Sequence, residues 1–156
     1  MEILRLIAFD EDDLKVLSAH LQDSLVRMED VVFLPKERRF AAMLKRFDWV
    51  KAAASNDSPD GIYERREAAL RFERVLGAQY RNLQLDQTGD EVTALLAVNF
   101  EAGDPPGGFI ELIFAGGGAI RLHVECIEGE LRDLGTVWRT RRKPEHPDGA
   151  GNPQAG

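Results

Sequence analysis

The chain is 156 residues long with 44% apolar content, enough for one domain with a buried core. Its formal charge of -7 and isoelectric point near 5.0 argue against general affinity for nucleic acid or anionic membrane, since both require a basic field. One cysteine excludes an internal disulfide, no stretch approaches the ~20 apolar residues of a membrane span, and MEILRLIAFDEDD lacks the basic and apolar regions of an export signal; a cytoplasmic protein is expected.

Ile3 to Phe9 reads as a strand with Leu4, Leu6 and Ala8 on one side. Asp10 then occupies an N-cap position with Asp13 three residues on, a carboxylate version of the capping box, and Glu11 and Asp12 complement the positive end of a helix dipole. Leu14, Leu17 and Leu21 give that helix its apolar stripe, and it should end near Asp23 or Ser24. Leu25 to Leu34 predicts a strand kinked or bulged at Glu29-Asp30. A turn over Pro35-Lys36-Glu37-Arg38 follows, then a returning strand from Arg39 to Phe47 that carries Phe40, Ala42 and Leu44 on one side.

Asp48 to Glu64 reads as a long loop with a turn-rich centre at Ser55 to Gly61, the most mobile internal segment. Glu67 to Arg81 suits two periods: Leu70, Phe72, Leu76, Ala78 and Tyr80 share a strand parity, whereas Ala69, Phe72, Val75, Leu76 and Tyr80 fit a helix. A long strand is the preferred reading, because RRFAAMLKRF from Arg38 is echoed by RREAALRFER from Arg65. Gln87-Thr88-Gly89-Asp90 turns the chain, Val92 to Phe100 forms an apolar and therefore central strand, and Gly103 to Gly108 makes a loop.

Phe109 to Val124 predicts a hairpin around Gly116-Gly117-Gly118. Folding the flanks together pairs Ala115 with Ala119, Phe114 with Ile120, Leu112 with Leu122 and Ile110 with Val124, all apolar on one face. The opposite, wet face then sets Glu111 beside His123 and Ile113 beside Arg121. After Cys126 the period changes, since Ile127, Leu131, Leu134 and Trp138 recur at helical spacing, so a terminal helix is expected to pack on the hairpin, with Gly135 as its end or its weak point. Arg139 to Lys143 is basic, and the proline- and glycine-rich stretch from Pro144 to Gly156 predicts a disordered tail after a single domain over residues 1–143.

These elements assemble into an α+β fold, a mostly antiparallel and strongly twisted sheet or half-barrel with two helices. A pleckstrin-homology-like barrel closed by a terminal helix is the alternative.

The segments LRLIAFDEDDLKVLSAHLQD, FLPKERRFAAMLKRFDW and FAGGGAIRLHVECIEGELRDLG resemble those of a small alphaproteobacterial family of unknown function, over most of Leu4 to Trp138. The resemblance implies a bacterial cytoplasmic protein and carries no activity, cofactor or catalytic residue with it.

The residues themselves offer little catalytic chemistry. Gly116 to Gly118 lies within a hairpin and not between strand and helix, so it reads as a turn and not a phosphate loop. Cys126 shares the parity of the apolar face and reads as a buried, inert thiol, while His123 points the other way, which excludes a Cys–His dyad. His20 and His146 have no spacing that joins His123 in a metal site, and capping accounts for the acidic run Asp10 to Asp13, so no metal or cofactor is expected. The basic pairs Arg38-Arg39, Lys45-Arg46 and Arg65-Arg66 and the cluster from Arg139 to Lys143 read as solvated surface. What remains is the wet hairpin face of Glu111, Arg121 and His123. The expected function is a non-catalytic interaction or adaptor domain with a protein partner; the alternative is a small-molecule-binding protein or weakly signalled enzyme using that face.

Overall fold

A computed structural model describes residues 3–54, 61–83 and 92–144. The chain opens with strand β1 (Arg5–Ala8) and helix α1 (Glu11–Leu21). The helix starts as the sequence dictates: the Asp10 carboxylate accepts from the Asp13 backbone N–H at 2.7 Å, and Asp13 accepts from the Phe9 N–H at 3.0 Å. Leu14, Leu17 and Leu21 are buried, and α1 ends just before Gln22.

Strands β2 (Ser24–Leu34) and β3 (Arg39–Phe47) form the expected hairpin around Pro35–Arg38, and their register shifts between Val26 and Val31, where Glu29-Asp30 was expected to bulge. A short helix, α2 (Trp49–Ala54), occupies the start of the segment read as loop. Its N-terminus is capped by Asp48, whose carboxylate accepts from the Lys51 backbone N–H at 2.9 Å.

The segment with two competing periods is strand, but in two pieces, β4 (Tyr63–Phe72) and β5 (Val75–Arg81). Glu73 and Arg74 break it, the latter with φ of 61°. Strands β6 (Val92–Ala102), β7 (Gly108–Phe114), β8 (Ala119–Val124) and β9 (Gly129–Thr140) complete one nine-stranded sheet in the order β1-β9-β4-β3-β2-β6-β7-β8-β5. The two echoing segments thus lie side by side as β3 and β4, and β6 is central as expected.

The links explain the curvature. Only Glu73 and Arg74 join β4, third in the sheet, to β5 at its far edge, and such a link reaches about 10 Å. A flat sheet holds those strands far apart, so the sheet must curl into a half-barrel. Among the described residues it stays open, with β1 and β5 at its edges, and the segment expected to form the closing terminal helix is strand, which does not fit the barrel closed by a terminal helix. Helix α1 lies on the concave side against β6, where Phe40, Leu44, Leu70, Phe72, Leu95, Ile110, Leu112, Leu122 and Leu131 make the core.

Two expectations near the C-terminus need correction. The faces of the β7–β8 hairpin are as predicted, but its pairs are shifted by two: Ile110 faces Leu122, Leu112 faces Ile120, and Glu111 faces Arg121 instead of His123. The reason lies in the turn, where Gly116 and Gly117 take φ of 82° and 90°. These left-handed positions lie within Ala115–Gly117, so Gly118 is extended, and its carbonyl accepts from the Phe114 N–H at 2.9 Å. The second correction concerns the expected terminal helix, which is strand β9. Its inward residues before the bulge are Gly129, Leu131 and Asp133, a set too polar to show an apolar alternation, while Leu134 of the supposed helical stripe is exposed. Cys126 lies beyond the end of β8, half-buried and not in the core. The expected turn at Gln87 to Asp90, the region 55–60 and all of the expected tail except Pro144 fall outside the described residues. No helix among the described residues is long and apolar enough to cross a membrane.

Candidate functional site

The convex face of β6, β7 and β8 brings Glu111, Arg121 and His123 onto one surface. Cross-strand register lines up Glu101, Phe109, His123 and Gly77 in one row and Asn99, Glu111, Arg121 and Gln79 in the next. Arg121 Nη2 lies 3.0 Å from Glu101 Oε1 and Nη1 lies 3.6 Å from Glu111 Oε1. Its guanidinium carbon stands 4.0 Å over the Phe109 ring. On the same ring His123 stacks at 5.0 Å between centroids and 22° between planes. The expected Glu111–His123 pairing is therefore replaced by Glu111–Arg121, and the histidine's direct partner is an aromatic ring. Beside Arg121, towards edge strand β5, a cleft of about 570 Å³ is lined by Gln79, Tyr80, Arg81 and Glu111. Burial pushes the Tyr80 phenol up.

A second polar constellation lies on the concave side, at the end of the half-barrel where β1, α1 and α2 meet. The inward stripe of β3 continues past Phe40, Ala42 and Leu44 to Arg46, and that of β4 runs back from Phe72, Leu70 and Ala68 to Arg66. These two arginines stand directly opposite each other in register. Arg46 forms a two-bond fork on Asp133, Nε to Oδ1 at 2.7 Å and Nη2 to Oδ2 at 2.8 Å, with both side chains about 95% buried. The Leu4 backbone N–H also donates to Asp133, at 3.0 Å. Arg66 Nε donates to Asp48 at 2.7 Å, its Nη2 donates to Glu64 at 3.1 Å, and Lys51 Nζ donates to Glu64 at 2.6 Å.

Burial works against the Asp48 charge, yet the Lys51 backbone N–H and the Arg66 side chain that donate to it hold its carboxyl below the usual range. The Arg66 guanidinium is correspondingly raised by its bond to Asp48. His20, in the last turn of α1, is lowered first by burial and then by the Arg46 charge. A cleft of about 480 Å³ opens onto these groups. Arg46 and Arg66 are thus not the solvated surface expected of basic pairs. Arg65 is also largely enclosed, donating to the Asp23 carbonyl at 2.9 Å, and burial lowers its pKa. Among the described residues no group of three or more His, Cys, Asp or Glu side chains converges as a metal site does.

Residues 4–146 match the model of a family described as a protein of unknown function, DUF2948. The chain belongs to that family. No curated protein and no solved structure matches it. The DUF2948 match spans the convex Arg121 face and all of the concave cleft lining except Ile3.

Proposed function

We propose that this DUF2948 domain is a non-catalytic interaction domain of the bacterial cytoplasm, docking a protein partner on the convex face of β7 and β8. The observation that carries the reading is the Arg121–Phe109–His123 stack, a half-exposed cation and aromatic set of the type that dominates protein interfaces. Edge strand β5 lies beside it; among the described residues no strand pairs along its outer side, where the Val75 N–H donates to the Arg38 carbonyl, and an extended partner segment adds to such an edge. A half-buried free thiol fits a reducing compartment.

A second reading, a small-molecule-binding protein or enzyme using Glu111, Arg121 and His123, draws on the cleft of about 570 Å³ beside Arg121. Affinity purification of the tagged full chain from its native cells separates the two. The interaction reading expects a stoichiometric protein retained by the wild type and lost with Arg121→Ala, while the melting temperature stays within about 2 °C. A retained metabolite without a protein supports the second reading. A protein retained equally by Arg121→Ala and Phe109→Ala overturns the docking face.

A further inference from the structure

Strand β1 and the residues that flank it are apolar on both faces. Leu4, Leu6 and Ala8 turn inward onto the core, while Ile3, Ile7 and Phe9 point outward with 58%, 46% and 66% of their surface exposed. Three large apolar side chains on one short strand exceed the scattered exposure of an ordinary surface. Exposed Leu134 extends the patch onto β9, next to Asp133, whose N–H donates to the Leu4 carbonyl. Among the described residues β1 is an edge strand, paired by β9 on one side only. Edges are ordinarily blunted against strand addition by charge, proline or a bulge. β1 has no proline, no register shift against β9 and a single charge, Arg5, whose guanidinium is engaged by Glu130.

The two ends of this edge differ in sign. At the N-terminal end Arg5 stands in register with Arg132, which is exposed and has no ion pair among the described residues. At the C-terminal end the chain runs through Phe9 and Asp10 straight into α1, whose first turn exposes Glu11 and Asp12. A strand that is basic at one end and acidic at the other complements itself in antiparallel pairing, because a twofold axis brings each basic end to the other copy's acidic end. Parity narrows the register, since directly opposed residues of a continuous sheet point to the same side. An axis at Arg5 would oppose like charges. An axis at Leu6 would set Ile7 against Arg5 and carry the acidic turn two residues further from Arg132. An axis at Ile7 sets Ile7 against itself and Arg5 against Phe9 of the other copy, the cation-and-ring contact that Arg121 and Phe109 make elsewhere.

We infer that β1 is a self-association edge: a second copy of this chain adds its own β1 in antiparallel pairing about Ile7, covering Ile3, Ile7 and Phe9 of both copies and setting Glu11 and Asp12 of each beside Arg132 of the other. The edge lies at the opposite end of the sheet order from β5, so the inference is independent of the interaction reading. A strand of four residues with its flanks offers a small contact, so the dimer is weak and forms at high concentration.

The test is sedimentation velocity on the full chain at physiological salt. The wild type is expected to pass from monomer at about 5 μM to dimer at about 500 μM. Ile7→Lys, at an exposed position, sets two lysines against each other on the axis and is expected to raise Kd at least about tenfold, with the melting temperature at about 5 μM unchanged. Arg132→Glu and Asp12→Lys are each expected to raise Kd roughly three- to fivefold. Combined in one chain they restore the pairing with reversed signs and bring Kd to within about twofold of the wild type. A wild type that stays monomeric throughout overturns the inference, as does a dimer that Ile7→Lys leaves intact or a double charge variant that associates no better than the weaker single. Loss of the dimer with Arg121→Ala places the contact on the face of β7 and β8 and overturns it as well.

Discussion

Arg46 on β3 and Asp133 on β9 join across the strand between them, β4, through a fork with bonds of 2.7 and 2.8 Å. The side chain of β4 in register with Asp133 is Ala68, fully buried and small enough to leave the inner surface open at that point. A buried pair of this kind is costly to break by halves, because the surviving charge has no water to turn to. Arg46→Met or Asp133→Leu alone is therefore expected to cost about 3–5 kcal/mol in urea unfolding, and the double variant to recover most of that loss. The exposed pair of Arg38 and Glu125, at the same 2.7 Å, gives the contrast: Arg38→Ala should cost less than about 1 kcal/mol. Equal losses at the two places would mean that water reaches the Arg46 fork.

The same end of the molecule sets the response to acid. His20 is held below its ordinary value of 6.5 by burial and by Arg46, so the unfolded chain takes up that proton more readily. Stability then falls as pH drops through the ordinary histidine value, and this loss stops growing below the depressed folded value. Glu130 is lowered by the bond from Arg5, and Asp48 by its donors against the opposing effect of burial. Their contributions are present above the ordinary carboxylate range and disappear as pH falls through the folded values. Two stages of destabilisation are expected, imidazole first and carboxylates later. His20→Gln should flatten urea midpoints between about pH 7.5 and 5.5 and leave the acid stage in place. A wild-type midpoint constant across that interval contradicts the assignment of His20.

The concave site is legible in the sequence in principle, although basic pairs by themselves suggest solvated surface. Extending the Phe40, Ala42, Leu44 stripe by one more step gives Arg46, and extending the Phe72, Leu70, Ala68 stripe back by one step gives Arg66. Parity alone turns both inward. Their anions were beyond reach, because Asp133 belonged to a segment expected to be helical and Asp48 to one expected to be loop. The convex face was legible for a simpler reason: alternation on β7 and β8 fixes sides whatever the register, so Glu111, Arg121 and His123 share a surface even after the pairs shift by two.

That shift changes partners and not burial, which a pair of substitutions checks. Leu122 is fully buried and faces Ile110, so Leu122→Ala should cost about 2–5 kcal/mol in chemical unfolding. His123→Ala, on the exposed face, should cost no more than about 1 kcal/mol, the part due to stacking on Phe109. Comparable losses would place His123 in a second covered layer, which the convex face does not have among the described residues.

Strand β9 is where sequence and structure part most sharply, and Gly135 tells the two apart by sign. In an exposed helix, replacing a glycine with alanine stabilises by about 1 kcal/mol. In the structure Gly135 has φ of 102° within a bulge, where Leu134, Gly135 and Thr136 stand opposite Glu67 alone. An added Cβ meets no atom within 4 Å, so the penalty of Gly135→Ala comes from backbone strain and is about 1–2 kcal/mol. Asparagine tolerates left-handed backbone better than valine does, so Gly135→Asn should cost less than Gly135→Val. Gly129, at the other end of the strand, fails for a different reason: its Cβ would sit 2.6 Å from Cε1 of Phe72, a fully buried ring. Gly129→Ala is therefore expected to cost about 1–3 kcal/mol by overpacking. The double variant Gly129→Ala with Phe72→Leu should recover part of that loss relative to the sum of the singles, since the smaller side chain admits the methyl group, whereas Phe72→Leu should not relieve Gly135→Ala. A stabilising Gly135→Ala would restore the helix.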